Sequence, residues 1–95
     1  MDHMEDAVAE MHGLHTGWTS ARTLALEAAD ELVKAQTKHP GPMHGPHEGY
    51  AVILEELDEL WTEVRAQKQD KMLMRKEALQ VAAMALRFMQ DVCGQ

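Results

Sequence analysis

The sequence has few aromatic residues, little proline and a single cysteine, and each scarcity argues against a class of protein. Only four of the 95 residues are aromatic, and alanine, leucine and methionine supply most of the apolar surface, which favours helices over strands. The three prolines all lie between positions 40 and 46. Turn signals therefore do not recur along the chain as they do in β-sandwiches and barrels. We predict an all-α fold.

The composition also limits the cellular setting and the partners. Cys93 cannot form an internal disulfide and is typical of a reducing compartment. The chain has no run of 18 apolar residues and opens on acidic residues, so we expect a cytoplasmic protein without a membrane segment. The net charge of −7 argues against a DNA- or RNA-binding surface. An acidic protein that handles phosphates needs metal ions to mediate the contact.

Apolar residues at three- and four-residue spacing predict an antiparallel helical bundle. One domain over residues 1–95 is expected to contain a short helix at 2–12, helices at 20–38, 47–66 and 71–92, and a Pro/Gly/His loop at 39–46. Ser20 and Asp70 are the expected N-caps, and Pro46 suits a first helical turn. The last two helices are expected to form an antiparallel hairpin.

The helical patterns also predict which side chains are buried. Trp61 continues the apolar stripe of the helix at 47–66, so we expect it in the core, while Trp18 is interpreted as either a core residue or a base-stacking group. The helix at 20–38 is expected to turn its charged residues to solvent, namely Glu27, Asp30, Glu31, Lys34 and Lys38.

Glutamates follow one line of the helix at 47–66. Glu56, Glu59 and Glu63 fall within about 60° of one another and border the apolar face. Like charges that are partly buried resist ionisation unless a cation or a basic group compensates them. Such a stripe is either a solvated acidic face or a site for Mg²⁺, which binds carboxylates together with water and phosphates.

The last helix is apolar almost all round from Ala78 to Val92, which is typical of a helix buried on several sides. Its polar residues fall within a line about 80° wide, and they are Glu77, Gln80, Arg87 and Asp91. Polar groups on a buried helix must face one another, a cavity or a metal. Two interpretations follow: a hydrogen-bonded seam, in which Arg87 pairs with Asp91 or with a glutamate of the neighbouring helix, and a functional site.

Two short motifs add a family resemblance. They are Glu55-Glu56-Leu57-Asp58-Glu59-Leu60 and Lys76-Glu77-Ala78-Leu79-Gln80. The pair resembles the E-E-x-x-E and E-x-x-D motifs of the MazG-like all-α nucleoside triphosphate pyrophosphohydrolases. The similarity covers about residue 47 to the C-terminus and is to a small phage and prophage branch of that superfamily.

The resemblance implies a magnesium-dependent hydrolase that converts a nucleoside or deoxynucleoside triphosphate to the monophosphate and pyrophosphate. It implies metal ligands at Glu56, Glu59 and Glu77, with Mn²⁺ as an alternative to Mg²⁺, and a catalytic role for Glu55 as a water-orienting base or a further ligand. Gln80, Arg87, Asp91 and His47 are expected to line the site. The chain also ends soon after the second motif, so we expect a homo-oligomer, a dimer or a tetramer, to complete the bundle.

Gln80 departs from the family pattern because it stands where the family has aspartate. The site then has one carboxylate fewer, which implies a weaker metal site, an altered substrate preference or no catalysis. Three functions therefore stand side by side. They are the hydrolase, a catalytically degenerate oligomer that binds a nucleotide or a protein partner, and a helical association module whose acids are only a solvated face.

Histidines gather in two places, His12 with His15 and then His39, His44 and His47. Their spacings match no zinc-finger or helical ligand pattern, so we expect solvated loop histidines. In the family interpretation, His44 or His47 contacts a phosphate or base of the substrate.

Overall fold

The computed structural model describes residues 19–94, and in this range the chain forms three helices and no strand. We name them α1 (Ala21–Lys38), α2 (Pro46–Val64) and α3 (Lys71–Asp91). The all-α prediction is confirmed over these residues. The short helix predicted at 2–12, and with it His12, His15 and Trp18, lies outside the described residues.

Local hydrogen bonds fix where the helices begin and end. The Ser20 hydroxyl accepts from the Thr23 backbone N–H at 3.1 Å, and the Asp70 carboxylate accepts from the N–H groups of Met72 and Leu73. Both are N-caps, as predicted. The second helix differs from its predicted range of 47–66, because it begins at Pro46 and ends at Val64.

α3 packs against both other helices, whereas α1 and α2 have little contact with each other. α2 runs antiparallel to α3, since Gly49 near the start of α2 lies against Phe88 near the end of α3. A Cβ atom at Gly49 would stand 2.5 Å from the Phe88 ring, so the absence of a side chain allows this close approach.

α1 runs parallel to α3. Arg75 forms an ion pair with Glu27 near the start of both helices, at 2.8 Å. The side-chain amide of Gln36 donates to that of Gln90 near their ends, at 3.0 Å. The three helices therefore run up, down and up.

The core is small and lies where α3 meets the other two helices. Its buried apolar side chains are Ala28, Leu32, Met43, Ala83 and Met84. Ile53, Leu86 and Phe88 pack against this cluster and are partly buried. The prediction that Trp61 belongs to the core is wrong for the chain described, because its side chain is 57% exposed. The apolar face of α2 is wider than the strip that α3 covers, and Trp61 lies outside that strip.

Arg87 and Asp91 hold the loop between α1 and α2. The Arg87 guanidinium donates to the backbone carbonyls of His39 at 2.8 Å and Gly41 at 2.6 Å, and its Nε lies 3.4 Å from the Asp91 carboxylate. The same Asp91 oxygen accepts from the Met43 N–H at 3.0 Å. Gly41 has a φ of 101°, a left-handed conformation that favours glycine. The predicted Arg87–Asp91 pair therefore forms, and it also closes one end of the space between α1 and α2.

Candidate metal site

A cleft of about 960 Å³ lies between α1 and α2, with α3 as its floor and the loop at one end. Carboxylates from all three helices line it, and they include Glu31, Glu55, Glu56, Glu59 and Glu77. Cationic side chains line it as well, and they include Lys34, Lys38, Lys76 and Arg87. Both charge signs therefore face one volume that is large enough for a nucleotide-sized ligand.

Three of the carboxylates converge at one place in the cleft. Glu56 and Glu59 lie one turn apart on α2, and Glu77 faces them from α3. One oxygen atom from each lies within 4.8 Å of the other two. We call this group the acidic trio. Hard divalent cations such as Mg²⁺ and Mn²⁺ prefer carboxylate oxygens, so the donor set fits such an ion.

The acidic trio carries mutual repulsion. Burial raises the pKa of Glu56 above its usual value, and the charges of Glu59, Glu77 and Glu55 raise it further. Burial also raises the pKa of Glu77, with a further contribution from the charge of Glu59. Each shift means that the folded chain disfavours the ionised carboxylate, which is the condition that a bound cation would relieve.

The raised pKa values of Glu56 and Glu77 predict a dependence of stability on pH. A carboxyl with a raised pKa in the folded state stabilises the fold fully below its usual pKa of 4.5, and this stabilisation is lost as the pH rises through the raised value. We therefore expect Glu56→Gln to raise Tm at pH 7 by about 2–5 °C without divalent cations, because it removes one of three repelling charges. The gain should shrink as the pH approaches 4.5. Thermal unfolding from pH 7 downwards measures it, and an unchanged or lower Tm at pH 7 contradicts the repulsion.

The pKa shifts of Glu31 and Glu48 have the opposite sign to those of Glu56 and Glu77. The Gln80 amide and then Lys34 lower the pKa of Glu31, and hydrogen bonds from His44 lower the pKa of Glu48. A lowered carboxyl pKa gives stability that is present above the usual value and lost only at more acidic pH. The contributions of Glu56 and Glu77 therefore change at pH values above those at which Glu31 and Glu48 titrate.

Gln80 is engaged with α1. Its side-chain amide donates to the Glu31 carboxylate at 2.5 Å, and the other oxygen of Glu31 accepts from Lys34 at 3.3 Å. Gln80 thus lines the cleft one turn from Glu77 but directs its N–H to Glu31. The prediction that Glu31 faces solvent is wrong, since its side chain is only 21% exposed and lines the cleft, whereas Lys34 is exposed as predicted and lines the cleft as well. No local sequence signal predicts the contact between Gln80 and Glu31, because these two residues stand 49 positions apart.

Of the other predicted site residues, two line the cleft and two do not. Glu55 is exposed and lines the cleft beside the acidic trio, and Arg87 lines it near the loop. Asp91 binds Arg87 and Met43 and is not part of the lining. His47 lies exposed in the first turn of α2, also outside the lining.

Two histidines of the loop do line the cleft, His39 and His44. The His44 ring nitrogen Nδ1 lies 3.0 Å from the Glu48 carboxylate, which also accepts from the His44 backbone N–H. His44 therefore has a partner in the first turn of α2, at the loop end of the cleft.

No family model, no curated protein and no solved structure matches this chain. Among the described residues, no helix combines the length and the apolar character needed to cross a membrane.

Proposed function

We propose that the cleft binds a nucleoside triphosphate together with Mg²⁺ or Mn²⁺ and hydrolyses it to the monophosphate and pyrophosphate. The observation that carries this proposal is the acidic trio, which shares one cleft with the lysines of α1. A triphosphate bound to a divalent cation presents both charges at once, so it matches a cleft lined by carboxylates and lysines.

The side chains divide into three roles. Glu56, Glu59 and Glu77 would hold the cation, which supplies Lewis-acid polarisation of phosphate oxygens when bound. Lys34 and Lys38 would bind phosphate oxygens from the α1 side. Glu55 would orient the attacking water and accept its proton, as the resemblance to the MazG-like hydrolases implies.

A second function is favoured by the position of Gln80. Its amide is hydrogen-bonded to Glu31, and it adds no negative charge beside Glu77. An acidic trio without a fourth carboxylate is suited to hold a nucleotide–metal complex more weakly. The alternative is thus a catalytically degenerate protein that binds a nucleotide or a protein partner without hydrolysis. In both cases we propose that the chain works as a homo-oligomer.

A panel of ribo- and deoxyribonucleoside triphosphates tests the proposal. With Mg²⁺ or Mn²⁺ present, we expect one nucleotide or a small group of them to give monophosphate and pyrophosphate, and chelation of the metal should abolish the products. Turnover of no nucleotide with either metal contradicts the hydrolase. If a nucleotide with Mg²⁺ then raises Tm without being consumed, the second function holds, since ligands that bind only the folded state stabilise it.

An exchange of two side chains separates the functions further. Glu31→Gln combined with Gln80→Asp moves a carboxylate onto α3 and keeps an amide–carboxylate pair between the helices. Gln80→Asp alone would place two carboxylates in contact, so the paired exchange is the cleaner variant. We expect it to increase metal affinity and turnover if the missing carboxylate limits catalysis. Unchanged affinity for Mg²⁺ would mean that position 80 does not contribute to the metal site.

A further inference from the structure

One face of α2 exposes a row of large apolar side chains, which are Tyr50, Leu54, Leu57, Trp61 and Val64. Their exposed fractions range from 36% at Val64 to 63% at Tyr50. The residues follow one another at steps of four, three, four and three, which is the heptad spacing of a helix that pairs with another helix. We call this row the α2 stripe. Monomeric proteins rarely leave a contiguous apolar patch of this kind in water.

The α2 stripe is separate from the cleft. None of its five residues belongs to the cleft lining. Glu56 immediately precedes Leu57, so its side chain points about 100° away around the helix. A partner on the α2 stripe would therefore leave the acidic trio accessible to ligands.

We propose that the α2 stripe is the interface of a homodimer, in which two copies of α2 pair antiparallel about a two-fold axis at Leu57. The sizes of the side chains favour the antiparallel orientation. About this axis, Tyr50 of one copy faces the partner's Val64, Leu54 lies within one residue's rise of the partner's Trp61, and Leu57 faces itself. Large side chains then meet smaller ones on both sides of the axis, and two leucines meet at it, as a packed interface requires.

A parallel arrangement fits less well. It would place Trp61 against Trp61 and Tyr50 against Tyr50 at the same level, while the two Val64 side chains would leave space between them. The antiparallel pair also overlaps along nearly all of α2, because Leu57 lies close to the middle of Pro46–Val64. The stripe is thus self-complementary in one orientation.

The area is sufficient for a weak or moderate dimer. Two aromatic and three aliphatic side chains of this exposure remove on the order of 1,000 Å² from water when two copies pair, which is about the minimum for a specific interface. Each copy carries a charge of −7, so the copies repel one another at low ionic strength. Added salt should therefore strengthen the dimer by screening.

This dimer rests on the part of the proposed function in which the chain works as a homo-oligomer, and it gives that oligomer a surface and a symmetry. Its test needs no nucleotide, so the interface can fail while the proposal for the cleft stands, and the reverse also holds. The measurement is sedimentation equilibrium of the full chain over about 1–100 μM, the range in which interfaces of this area dissociate. We expect a species of twice the chain mass of 10.7 kDa.

Two matched variants report whether the α2 stripe forms the interface. Leu57→Glu should raise the dissociation constant at least about a hundredfold, because it buries two like charges at the axis. Its side chain is already half exposed in the protomer, so the fold should persist. Met72→Glu is the control, since Met72 is the most exposed apolar side chain of α3 and lies outside the stripe, and it should leave the dimer unchanged.

Cross-linking tests the orientation. In a Cys93→Ser background, Tyr50→Cys and Val64→Cys should give little disulfide dimer separately and a strong heterodisulfide when the two variants are mixed and oxidised. Self-cross-linking of Tyr50→Cys, with none in the mixture, overturns the antiparallel arrangement. A monomer at every concentration overturns the dimer, including the case in which another part of the same chain covers the stripe. A dimer that Leu57→Glu leaves intact also overturns the assignment of the interface to the α2 stripe.

Discussion

Arg87→Met is expected to lower the free energy of unfolding by about 2–4 kcal/mol, because it removes a buried charge that satisfies three acceptors at once. Arg87 is 8% exposed, and its guanidinium binds the carbonyls of His39 and Gly41 and the carboxylate of Asp91. Methionine keeps the length of the apolar stem, so the loss reports the polar contacts more than the packing. Asp91, whose side chain is 15% exposed, would keep the Met43 N–H as a donor but lose its cationic partner.

The control for this prediction is Arg75→Met. Arg75 also joins a carboxylate, Glu27, at 2.8 Å, but both side chains are more than one third exposed. Exposed ion pairs contribute about 0–1 kcal/mol, so Tm should fall by only a few degrees. For Arg87→Met the expected fall exceeds about 10 °C. Equal losses in urea or thermal unfolding of the two variants would mean that Arg87 does not hold the loop against α3.

The features that the sequence predicts correctly are those set by local contacts. Ser20 and Asp70 cap helices because a short oxygen-bearing side chain reaches the N–H groups two or three residues later. Glu56 and Glu59 lie side by side because they stand one helical turn apart. Arg87 and Asp91 pair for the same reason, at a separation of four residues.

The features that the sequence does not predict depend on how the helices pack. Gln80 contacts Glu31 only because α1 runs parallel to α3 in one register, and no periodicity encodes that register. Trp61 belongs to an apolar face that is wider than one helix can cover, so hydrophobicity alone does not tell its buried edge from its exposed edge.

The contacts that hold the loop between α1 and α2 are also not predictable from the sequence. The acceptors of Arg87 are the backbone carbonyls of His39 and Gly41, and every residue has such a carbonyl. A side chain that binds backbone therefore leaves no pattern in its partner's residue type. The polar line on α3 predicts that Arg87 and Asp91 pair with each other, but only the packed loop identifies their backbone partners.

Glu59→Gln is expected to reduce metal-dependent turnover about a hundredfold to a thousandfold, if the cleft hydrolyses nucleotides as proposed. Glu59 is the member of the acidic trio whose charge acts most strongly on both others, since among the surrounding charges it contributes most to the raised pKa of Glu56 and of Glu77. Glutamine has nearly the same shape but removes the charge. The variant therefore keeps the packing of the cleft and weakens the grip on the cation.

The same substitution should lower turnover but raise stability in the absence of divalent cations, and this combination makes the variant diagnostic. Without divalent cations, Glu59→Gln relieves repulsion, so Tm at pH 7 should rise by a few degrees. With Mg²⁺ at tenfold excess over its dissociation constant, the wild-type chain should gain about 1.4 kcal/mol, and the variant should lose most of that gain. Asp58→Asn is the matched control because Asp58 is the neighbouring exposed acid and lies outside the cleft lining. If Mg²⁺ stabilises wild type, Glu59→Gln and Asp58→Asn equally, the acidic trio is a solvated acidic face and not a metal site.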